Sequence, residues 1–276
     1  MQKLSIITIN KNNAAGLEKT MQSVICQTYT DFEYIIIDGA SDDESIEKIK
    51  KYSDIIQYWV SEPDTGIYNA MNKGIRKAQG DYCLFLNSGD YLVSPETLDN
   101  AFKEISNNPA DIYYSDVMLS DGRLKQFPDT WTANYLFQAH INHQNSFIKR
   151  SLFYEHGFYN ENLKIASDWE FFLNELWRYK STFFHIKTNI SIYDRQGISS
   201  RNKEILRMED LIVLKNVFQE LAGIIIQYRD FRKTIYYDII ENHYDTKFLR
   251  FLLKVYRKVF RIARRIIPFK EKHRPL

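Results

Sequence analysis

The sequence predicts an α/β protein with a mainly parallel sheet, flanked by helices and followed by a helical extension. Apolar runs of strand length, such as Leu4–Ile9, Phe32–Ile37 and Tyr82–Leu86, alternate with segments of helical period. Four strands that alternate with helices are typical of βαβ units, in which neighbouring strands run parallel. At 276 residues, the chain is long enough for one main domain with an appendage.

The first half of the chain supplies most of this pattern. Between the first two strands, one face of a predicted helix carries Leu17, Met21, Val24 and Ile25. The segment 41–44 predicts a capping box, with Ser41 as N-cap of the next helix. A strand at 55–60, a helix at 67–78 and the strand Tyr82–Leu86 then follow in order.

The second half predicts further alternating elements. Ser94-Pro95 predicts the start of a helix that runs to about residue 105. Ser167 and Glu170 predict another capping box. The remaining predictions are strands at 112–119, 146–149 and 182–193, a hairpin turn at Asp121-Gly122, and a long helix at about 202–219.

Acidic side chains follow the ends of several predicted strands, namely Asp38, Glu62, Asp64 and Asp90. The carboxyl ends of parallel strands meet at one edge of a sheet, where α/β proteins bind ligands. Asp90 follows the turn Asn87-Ser88-Gly89, so it either closes a turn or holds a cation against a phosphate. Clustered carboxylates repel each other unless a cation neutralises them, which favours a shared site.

Two loops and one helix start carry further candidate residues. The aromatic loop 127–145, which contains His143, is of a kind that covers a site, although a single histidine can also be structural. Arg195 lies in the flexible turn 194–200, which could contact phosphates. Asp168 begins a predicted helix, where it either complements the helix dipole or acts as a general base.

The composition of the chain indicates its compartment and argues against a membrane-spanning protein. Two cysteines without metal-binding spacing, Cys26 and Cys83, predict a reducing compartment. No apolar run is long enough to span a bilayer, and no signal peptide is expected at the N-terminus. The overall charge of +2 conceals a basic tail, because residues 247–276 carry eleven lysines and arginines against Glu271 alone.

Within this tail, residues 247–267 form the pattern of an amphipathic helix with one apolar and one basic side. Such a helix can lie on an anionic membrane, or its apolar side can pack on protein, including a second subunit. The acidic remainder of the chain argues against nucleic acid as a partner.

Several segments together resemble the family-two glycosyltransferases, which are inverting enzymes of the GT-A fold. The matching pieces are Ser5–Thr8, Gln27–Tyr29 with Phe32-Glu33, Ile37–Asp42 and the long block Ser61–Gly74. The block resembles a subgroup that builds bacterial surface polysaccharides. The similarity covers about residues 3–200, which implies a catalytic domain of residues 1–200 and a C-terminal extension of residues 201–276.

The resemblance implies a role for each matching position. Thr8 and Asp38 fall where the family holds the nucleoside, and Asp90 falls on the last acid of the DxD-type motif that binds Mn²⁺ or Mg²⁺. Asn87 replaces the first acid of that motif, as it often does in the subgroup. Asp168 falls on the catalytic base. Asp64, Ser88, His143 and Arg195 are further candidates for donor or acceptor contacts.

The predicted function is therefore metal-assisted transfer from a nucleotide-diphosphate sugar, with UDP as the expected nucleotide, to a saccharide acceptor, expected to be lipid-linked. A cytoplasmic enzyme bound peripherally to the inner face of the membrane is expected. Two alternatives remain: a nucleotidyltransferase acting on sugar phosphates, and a non-catalytic nucleotide-sugar-binding protein at the membrane. The first usually has a glycine-rich phosphate loop, whereas the first strand here ends in Asn10-Lys11-Asn12-Asn13.

Overall fold

The structure is a computed structural model that describes residues 4–131, 140–193, 202–226 and 230. The chain divides into two units, residues 1–225 and 226–276, and every element described lies in the first. The predicted amphipathic helix 247–267 and Arg195 lie outside the described residues. The expected boundary at residue 200 stays a prediction.

The described strands and helices alternate along the first 105 residues. The strands are β1 (Leu4–Asn10), β2 (Phe32–Asp38), β3 (Tyr58–Ser61), β4 (Tyr82–Phe85), β5 (Tyr91–Leu92), β6 (Ile112–Tyr114), β7 (Val117–Leu119), β8 (Leu124–Lys125), β9 (Ser146–Lys149), β10 (Phe183–His185) and β11 (Ser191–Tyr193). The helices are α1 (Ala14–Ile25), α2 (Ser45–Lys51), α3 (Ile67–Lys77), α4 (Thr97–Ile105), α5 (Ser151–His156), α6 (Ser167–Asn174) and α7 (Lys203–Phe218). Single turns of 3₁₀ or π-helix lie at His143–Asn145, Glu175–Tyr179 and Gln219–Leu221.

Seven strands form the central sheet, in the order β10-β6-β9-β4-β1-β2-β3. Strands β3, β2, β1 and β4 run parallel, as do β6 and β10, whereas β9 is antiparallel to both of its neighbours. Asn10 pairs with Asp38, and Asp38 with Ser61, so these three strands end at one edge. The prediction of a mainly parallel α/β sheet flanked by helices is confirmed.

Each face of the sheet packs against its own hydrophobic core, because successive strand residues point to opposite faces. Ile7, Ile9, Ile35 and Ile37 face a core with helix α3, as well as with aromatic residues of α5 and α6. Leu4, Ile6, Tyr34 and Ile36 face the other core, with residues of α1, α2 and α4. These strands are buried on both faces, which explains their continuous apolar sequence.

Two predicted long strands are each divided between two sheets. Residues 112–119 form β6 and β7, and residues 182–193 form β10 and β11. The second parts join a smaller sheet in the order β5-β11-β7-β8. At the first break, Ser115 Oγ donates to Asp116 O at 2.9 Å. The predicted hairpin turn at Asp121-Gly122 joins β7 to β8.

Both predicted capping boxes are wrong, because neither serine caps its helix and each bonds to a residue outside it. Ser41 Oγ donates to Asp38 Oδ1 at 2.6 Å, and α2 begins only at Ser45. Ser167 Oγ accepts a hydrogen bond from Asn160 N at 2.6 Å, and Ala166 holds the N-cap position of α6.

Two further element starts also differ from the prediction, since α4 begins at Thr97 rather than after Ser94 and β3 begins at Tyr58 rather than at residue 55.

Candidate active site

A cleft of about 1030 Å³ opens beyond the carboxyl ends of the parallel strands β1 and β4. Its walls come from residues 9–13 after β1, residues 64–70 at the start of α3, residues 87–90 after β4, and residues 140–144. This is the edge at which open α/β sheets bind their ligands. Six of the side chains singled out in the sequence line it: Asp64, Asn87, Ser88, Asp90, His143 and Asp168.

Two predicted site residues, Thr8 and Asp38, do not line the cleft. Both are fully buried, with no exposed surface, and the Thr8 hydroxyl lies 3.0 Å from the Tyr34 hydroxyl. Other residues cover both side chains in this structure, and their contact with a nucleoside stays a prediction. The strand-end acid Glu62 also points elsewhere, because it forms an ion pair with Lys73 at 2.7 Å.

Asp38 instead forms hydrogen bonds that link the ends of β1, β2 and β3. Its carboxylate accepts hydrogen bonds from Asn10 Nδ2 at 2.7 Å, Ser61 Oγ at 2.6 Å, and both the N–H and the hydroxyl of Ser41. Burial alone raises the pKa of Asp38, but these hydrogen bonds outweigh it and lower the pKa. The neighbouring Asn10, which Asp38 orients, does line the cleft.

Asp64 forms the wall of the cleft nearest to the end of β2. Its Oδ1 accepts a hydrogen bond from Gly66 N at 3.0 Å, which holds the turn before α3. Its Oδ2 lies 2.2 Å from where a Cβ atom on Gly39 would stand. Only glycine at position 39 therefore allows the Asp64 carboxylate to approach the backbone after β2.

The turn that contains Asn87, Ser88 and Asp90 is fixed by neighbours from α1. Thr20 Oγ1 donates to the backbone oxygen of Asp90 at 2.7 Å, and Asn13 Nδ2 donates to that of Ser88 at 2.9 Å. Within the turn, Asp90 N donates to Asn87 O at 2.9 Å. Asp90 is only 3% exposed. The turn therefore presents a carboxylate and an amide at a fixed place on the cleft wall.

The oxygen atoms at this turn are suitable ligands for a hard cation such as Mg²⁺, which also binds diphosphates. Asn87 Oδ1 is buried and makes no hydrogen bond, and Asp90 supplies a carboxylate close by in the chain. Among the described residues, no three histidine, cysteine or acidic side chains come together to hold a metal ion. A cation here would thus depend on oxygen atoms of a bound ligand and water, as Mg²⁺ commonly does.

A chain of hydrogen bonds links the turn after β4 to Asp168. Asn87 Nδ2 lies 3.1 Å from His143 Nε2, and His143 Nδ1 lies 2.7 Å from Asp168 Oδ2. With the Asn87 amide in this orientation, Nε2 accepts and the Nδ1–H donates to Asp168. The other carboxylate oxygen, Oδ1, accepts from the Tyr68 hydroxyl at 3.0 Å and from Trp169 N at 2.9 Å.

These contacts set the charge of Asp168. Burial raises the pKa of Asp168, but the hydrogen bonds from His143 and Tyr68 outweigh it, and the pKa is lowered. The Asp168 side chain remains 13% exposed, so part of it reaches the cleft as an ionised carboxylate. Burial and the neighbouring Asp168 charge raise the pKa of Tyr68 well above its usual range, so Tyr68 stays a neutral donor.

Sequence reasoning missed several residues around Asp168. Tyr68 lies within the block 61–74, but the chain gives no sign that it reaches Asp168 across 100 residues. His140 also lines the cleft, and its ring stacks on Trp169 at 4.3 Å. Three cationic side chains line the cleft as well, and charge is the signal that could have found them: Lys11, Lys125 and Lys164.

Comparisons with known proteins identify the family. The sequence profile of Glycosyl transferase family 2 matches residues 5–169. A PGL/p-HBAD biosynthesis glycosyltransferase from Mycobacterium bovis (strain BCG / Pasteur 1173P2) is 32% identical over 171 residues, which cover 60% of this chain and 67% of that protein. The poly(ribitol-phosphate) beta-N-acetylglucosaminyltransferase TarP from Staphylococcus aureus (strain N315) is 32% identical over 117 residues, which are 41% of this chain and 36% of TarP.

Solved structures of the same fold agree with this result. S. aureus TarS 1-349 in complex with UDP-GlcNAc superposes with a TM-score of 0.63 at 18% identity, covering 80% of this chain and 69% of that chain. The mannosyltransferase PcManGT from Pyrobaculum calidifontis, solved with GDP-Man and Mn²⁺, gives a TM-score of 0.62 at 15% identity, covering 81% and 68%. The architecture is thus the GT-A fold, and the chain is a glycosyltransferase that belongs to glycosyl transferase family 2.

Proposed function

We propose that the protein transfers a sugar from a nucleotide-diphosphate sugar, with UDP as the nucleotide, to a hydroxyl group of a saccharide acceptor, inverting the anomeric carbon. The observation that carries this proposal is that Asp90 and Asp168, 78 residues apart in the chain, line one cleft. Membership of family 2 argues against both alternatives, the nucleotidyltransferase and the non-catalytic binding protein.

The donor diphosphate would bind at the turn after β4. Asp90, assisted by Asn87 Oδ1, would hold Mn²⁺ or Mg²⁺ there, and Ser88 lies between them. When bound, the cation stabilises negative charge on the departing diphosphate as a Lewis acid. Lys11, Lys125 and Lys164 line the same cleft and add positive charge for the phosphates. The nucleoside would then lie towards Asn10 and Asp64. Asp38 and Thr8, which are buried beneath the cleft wall, would support that end of the sheet.

The acceptor hydroxyl would bind at Asp168, on the opposite side of the sugar from the diphosphate. As the acceptor oxygen attacks the anomeric carbon, its proton moves to the Asp168 carboxylate, and the bond to the diphosphate oxygen breaks. Attack from the face opposite the leaving group inverts the configuration. General-base catalysis of this kind contributes about 10²–10⁴ in rate, and the hydrogen bonds from His143 and Tyr68 orient the carboxylate for it.

The relatives and the basic tail support the proposed acceptor class and cellular location. The relatives are named for PGL/p-HBAD biosynthesis and for poly(ribitol-phosphate) glycosylation, which favours a saccharide, lipid-linked or polymeric, in surface-polysaccharide biosynthesis. The described residues contain no helix long and apolar enough to cross a bilayer. The basic segment 247–267 would bring the enzyme to the anionic inner face of the cell membrane, each basic residue adding about 1 kcal/mol.

A screen of UDP-, GDP- and TDP-sugars tests the donor assignment. Thermal stabilisation of the protein and metal-dependent release of the nucleotide diphosphate are measured with Mn²⁺, with Mg²⁺ and with EDTA. We expect one UDP-sugar to stabilise the wild type in the presence of metal, and Asp90→Asn to weaken that stabilisation. Asp54→Asn, an equal charge change at an exposed loop residue, serves as the control.

The same material tests the stereochemistry. The anomeric configuration of the first product, read from the proton coupling at the anomeric carbon, is expected to be opposite to that of the donor. Retention of configuration would contradict a single displacement with Asp168 as base. Failure of every nucleotide sugar to bind, with or without metal, would contradict the proposed function as a whole.

A further inference from the structure

Helix α7 lies beyond the residues that the family profile matches, yet it holds the segment that carries Asp168. The profile ends at Trp169, whereas α7 spans Lys203–Phe218. Its buried face packs against α6, and that face carries two acidic residues, Glu209 and Asp210. Glu209 bonds to the backbone just before α6, and Asp210 pairs with His140.

Glu209 makes the most direct of these contacts. Its side chain is 6% exposed, and its two carboxylate oxygens accept hydrogen bonds from three successive backbone N–H groups. The donors are Lys164 N at 2.6 Å, Ile165 N at 2.8 Å and Ala166 N at 2.9 Å. A buried carboxylate needs such partners, and three aligned backbone dipoles supply them. One side chain of α7 therefore fixes the conformation of the segment 164–166.

This segment is fixed from its other side by Tyr68. The Tyr68 hydroxyl lies 2.5 Å from Ile165 O and 3.0 Å from Asp168 Oδ1. Ile165 is therefore held at its N–H by Glu209 and at its carbonyl by Tyr68. Because α6 begins directly after Ala166, the position of this segment determines where the Asp168 carboxylate stands in the cleft.

Two further residues of α7 make polar contacts near Asp168. Asp210 lies 3.3 Å from His140 Nε2, and the His140 ring stacks on Trp169. Asn216 Nδ2 donates to Glu170 Oε1 at 2.7 Å. Helix α7 thus contacts the chain on both sides of Asp168.

We propose that Glu209 is a positioning residue of the transfer reaction: it holds residues 164–166 so that the Asp168 carboxylate meets the acceptor hydroxyl. The proposal rests on the role of Asp168 proposed above. Misplacement of a reacting group by about 1 Å can reduce the rate about 10²-fold. One side chain of helix α7, which lies outside the matched family region, accordingly supports the position of the reacting carboxylate.

The test compares three variants of the full chain. In Glu209→Gln, the amide NH₂ replaces one accepting oxygen and faces a backbone N–H, so the segment 164–166 loses part of its support. Glu204→Gln makes the same change at an exposed position of the same helix. Val213→Ala removes buried apolar volume from α7. It is the control for an effect that comes only from a less stable helix.

We expect kcat of Glu209→Gln to fall about 10- to 100-fold, with the KM for the donor unchanged within about twofold. Glu204→Gln should behave as the wild type. Val213→Ala, assayed well below its melting temperature, should lose stability but keep kcat. If Glu209→Gln keeps kcat, or loses it only in proportion to the folded fraction as Val213→Ala does, Glu209 is merely structural and the proposal is overturned.

Amide hydrogen exchange gives a readout that does not depend on turnover. In Glu209→Gln, exchange should accelerate at residues 164–170 and remain unchanged in the central sheet, whereas Val213→Ala should affect α7 and its neighbours generally. Unchanged exchange at residues 164–170 would overturn the proposal even if the wild type transferred no sugar. Conversely, exchange could accelerate at residues 164–170 although the wild type transfers no sugar. The proposed function would then be wrong, whereas the contact made by Glu209 would stand.

Discussion

Asp38 and Asp168 are two aspartates with similar surroundings and different places in the molecule. Each accepts at least three hydrogen bonds, and in each the hydrogen bonds overcome burial and lower the pKa. Asp38 has no exposed surface, and its partners come from the ends of β1 and β3 and the segment after β2. Asp168 reaches the cleft, and its side-chain partners His143 and Tyr68 come from two other segments of the cleft wall.

The difference lies in what the hydrogen bonds support. Around Asp38 they join neighbouring strands, so the carboxylate works as part of the scaffold that orients Asn10. Around Asp168 they leave a charged group at the cleft surface and orient it. A lowered pKa therefore does not by itself mark a reacting carboxylate, since exposure to the ligand space distinguishes the two.

The largest effect is expected for Asp168→Asn. An amide cannot take the acceptor proton, so kcat should fall by about 10²–10⁴. Binding of the donor should remain as in the wild type, because the proposed donor site lies at Asn87 and Asp90. Steady-state kinetics and calorimetric titration of the nucleotide measure the two effects. A loss of less than about tenfold in kcat would rule out Asp168 as the general base.

Asp38→Asn should have the opposite pattern, with a loss of stability and little loss of turnover. The amide cannot accept all four hydrogen bonds, which should lower the free energy of unfolding by roughly 2–4 kcal/mol. Because the fold lowers the pKa of Asp38 below its ordinary 3.8, its contribution is complete above that value and is lost as the pH falls through the folded-state pKa. Denaturant unfolding should therefore show the gap between wild type and variant closing below about pH 4.

His143→Ala should have a smaller effect on turnover than the loss of Asp168. It removes one hydrogen bond to a charged group, so kcat should fall about tenfold. His143 also lowers the pKa of Asp168, while burial raises it. The acid limb of the kcat profile should therefore move to higher pH in the variant. An unchanged profile would mean that His143 does not influence the ionisation of Asp168.

The smallest effect is expected for Tyr68→Phe. The variant loses the hydroxyl contacts to Ile165 and Asp168, but Glu209 and His143 still hold the segment and the carboxylate. We expect kcat to fall about fivefold, from the loss of a hydrogen bond worth roughly 1 kcal/mol. Tyr34→Phe, which removes a buried hydroxyl beside Thr8, is the matched control and should leave kcat unchanged. If kcat falls more in Tyr34→Phe than in Tyr68→Phe, the effect comes from altered packing and not from the contacts with Asp168.

Local patterns were sufficient to predict most of the central sheet. The strands at 4–10, 32–38 and 82–85 are apolar runs buried on both faces, and the turn after β4 places Asp90 at the expected edge. The helix-cap predictions failed because other hydrogen bonds use the two serine side chains. Ser41 and Ser167 have the spacing of helix caps, but each bonds to a residue outside its helix.

The contacts around Asp168 could not be read from the chain at all. His143 and Tyr68 stand 25 and 100 residues away from it, and nothing in the spacing of the sequence indicates that they meet. No feature of the sequence distinguishes Glu209 from the other acidic residues of α7. Conversely, Asp38 matches the family position for nucleoside contact. Only the structure shows that it is buried and that its oxygens accept hydrogen bonds from the protein.

The most direct test titrates the wild type, Asp90→Asn and Asp168→Asn with UDP and the preferred UDP-sugar in the presence of Mn²⁺, and measures turnover on the same samples. If a cation-bound diphosphate and an ionised base serve the two ends of one cleft, Asp90→Asn should lose metal-dependent binding, while Asp168→Asn should bind as the wild type and fail to turn over. Equal binding by all three proteins, or full turnover by Asp168→Asn, would contradict the division of roles between these two aspartates.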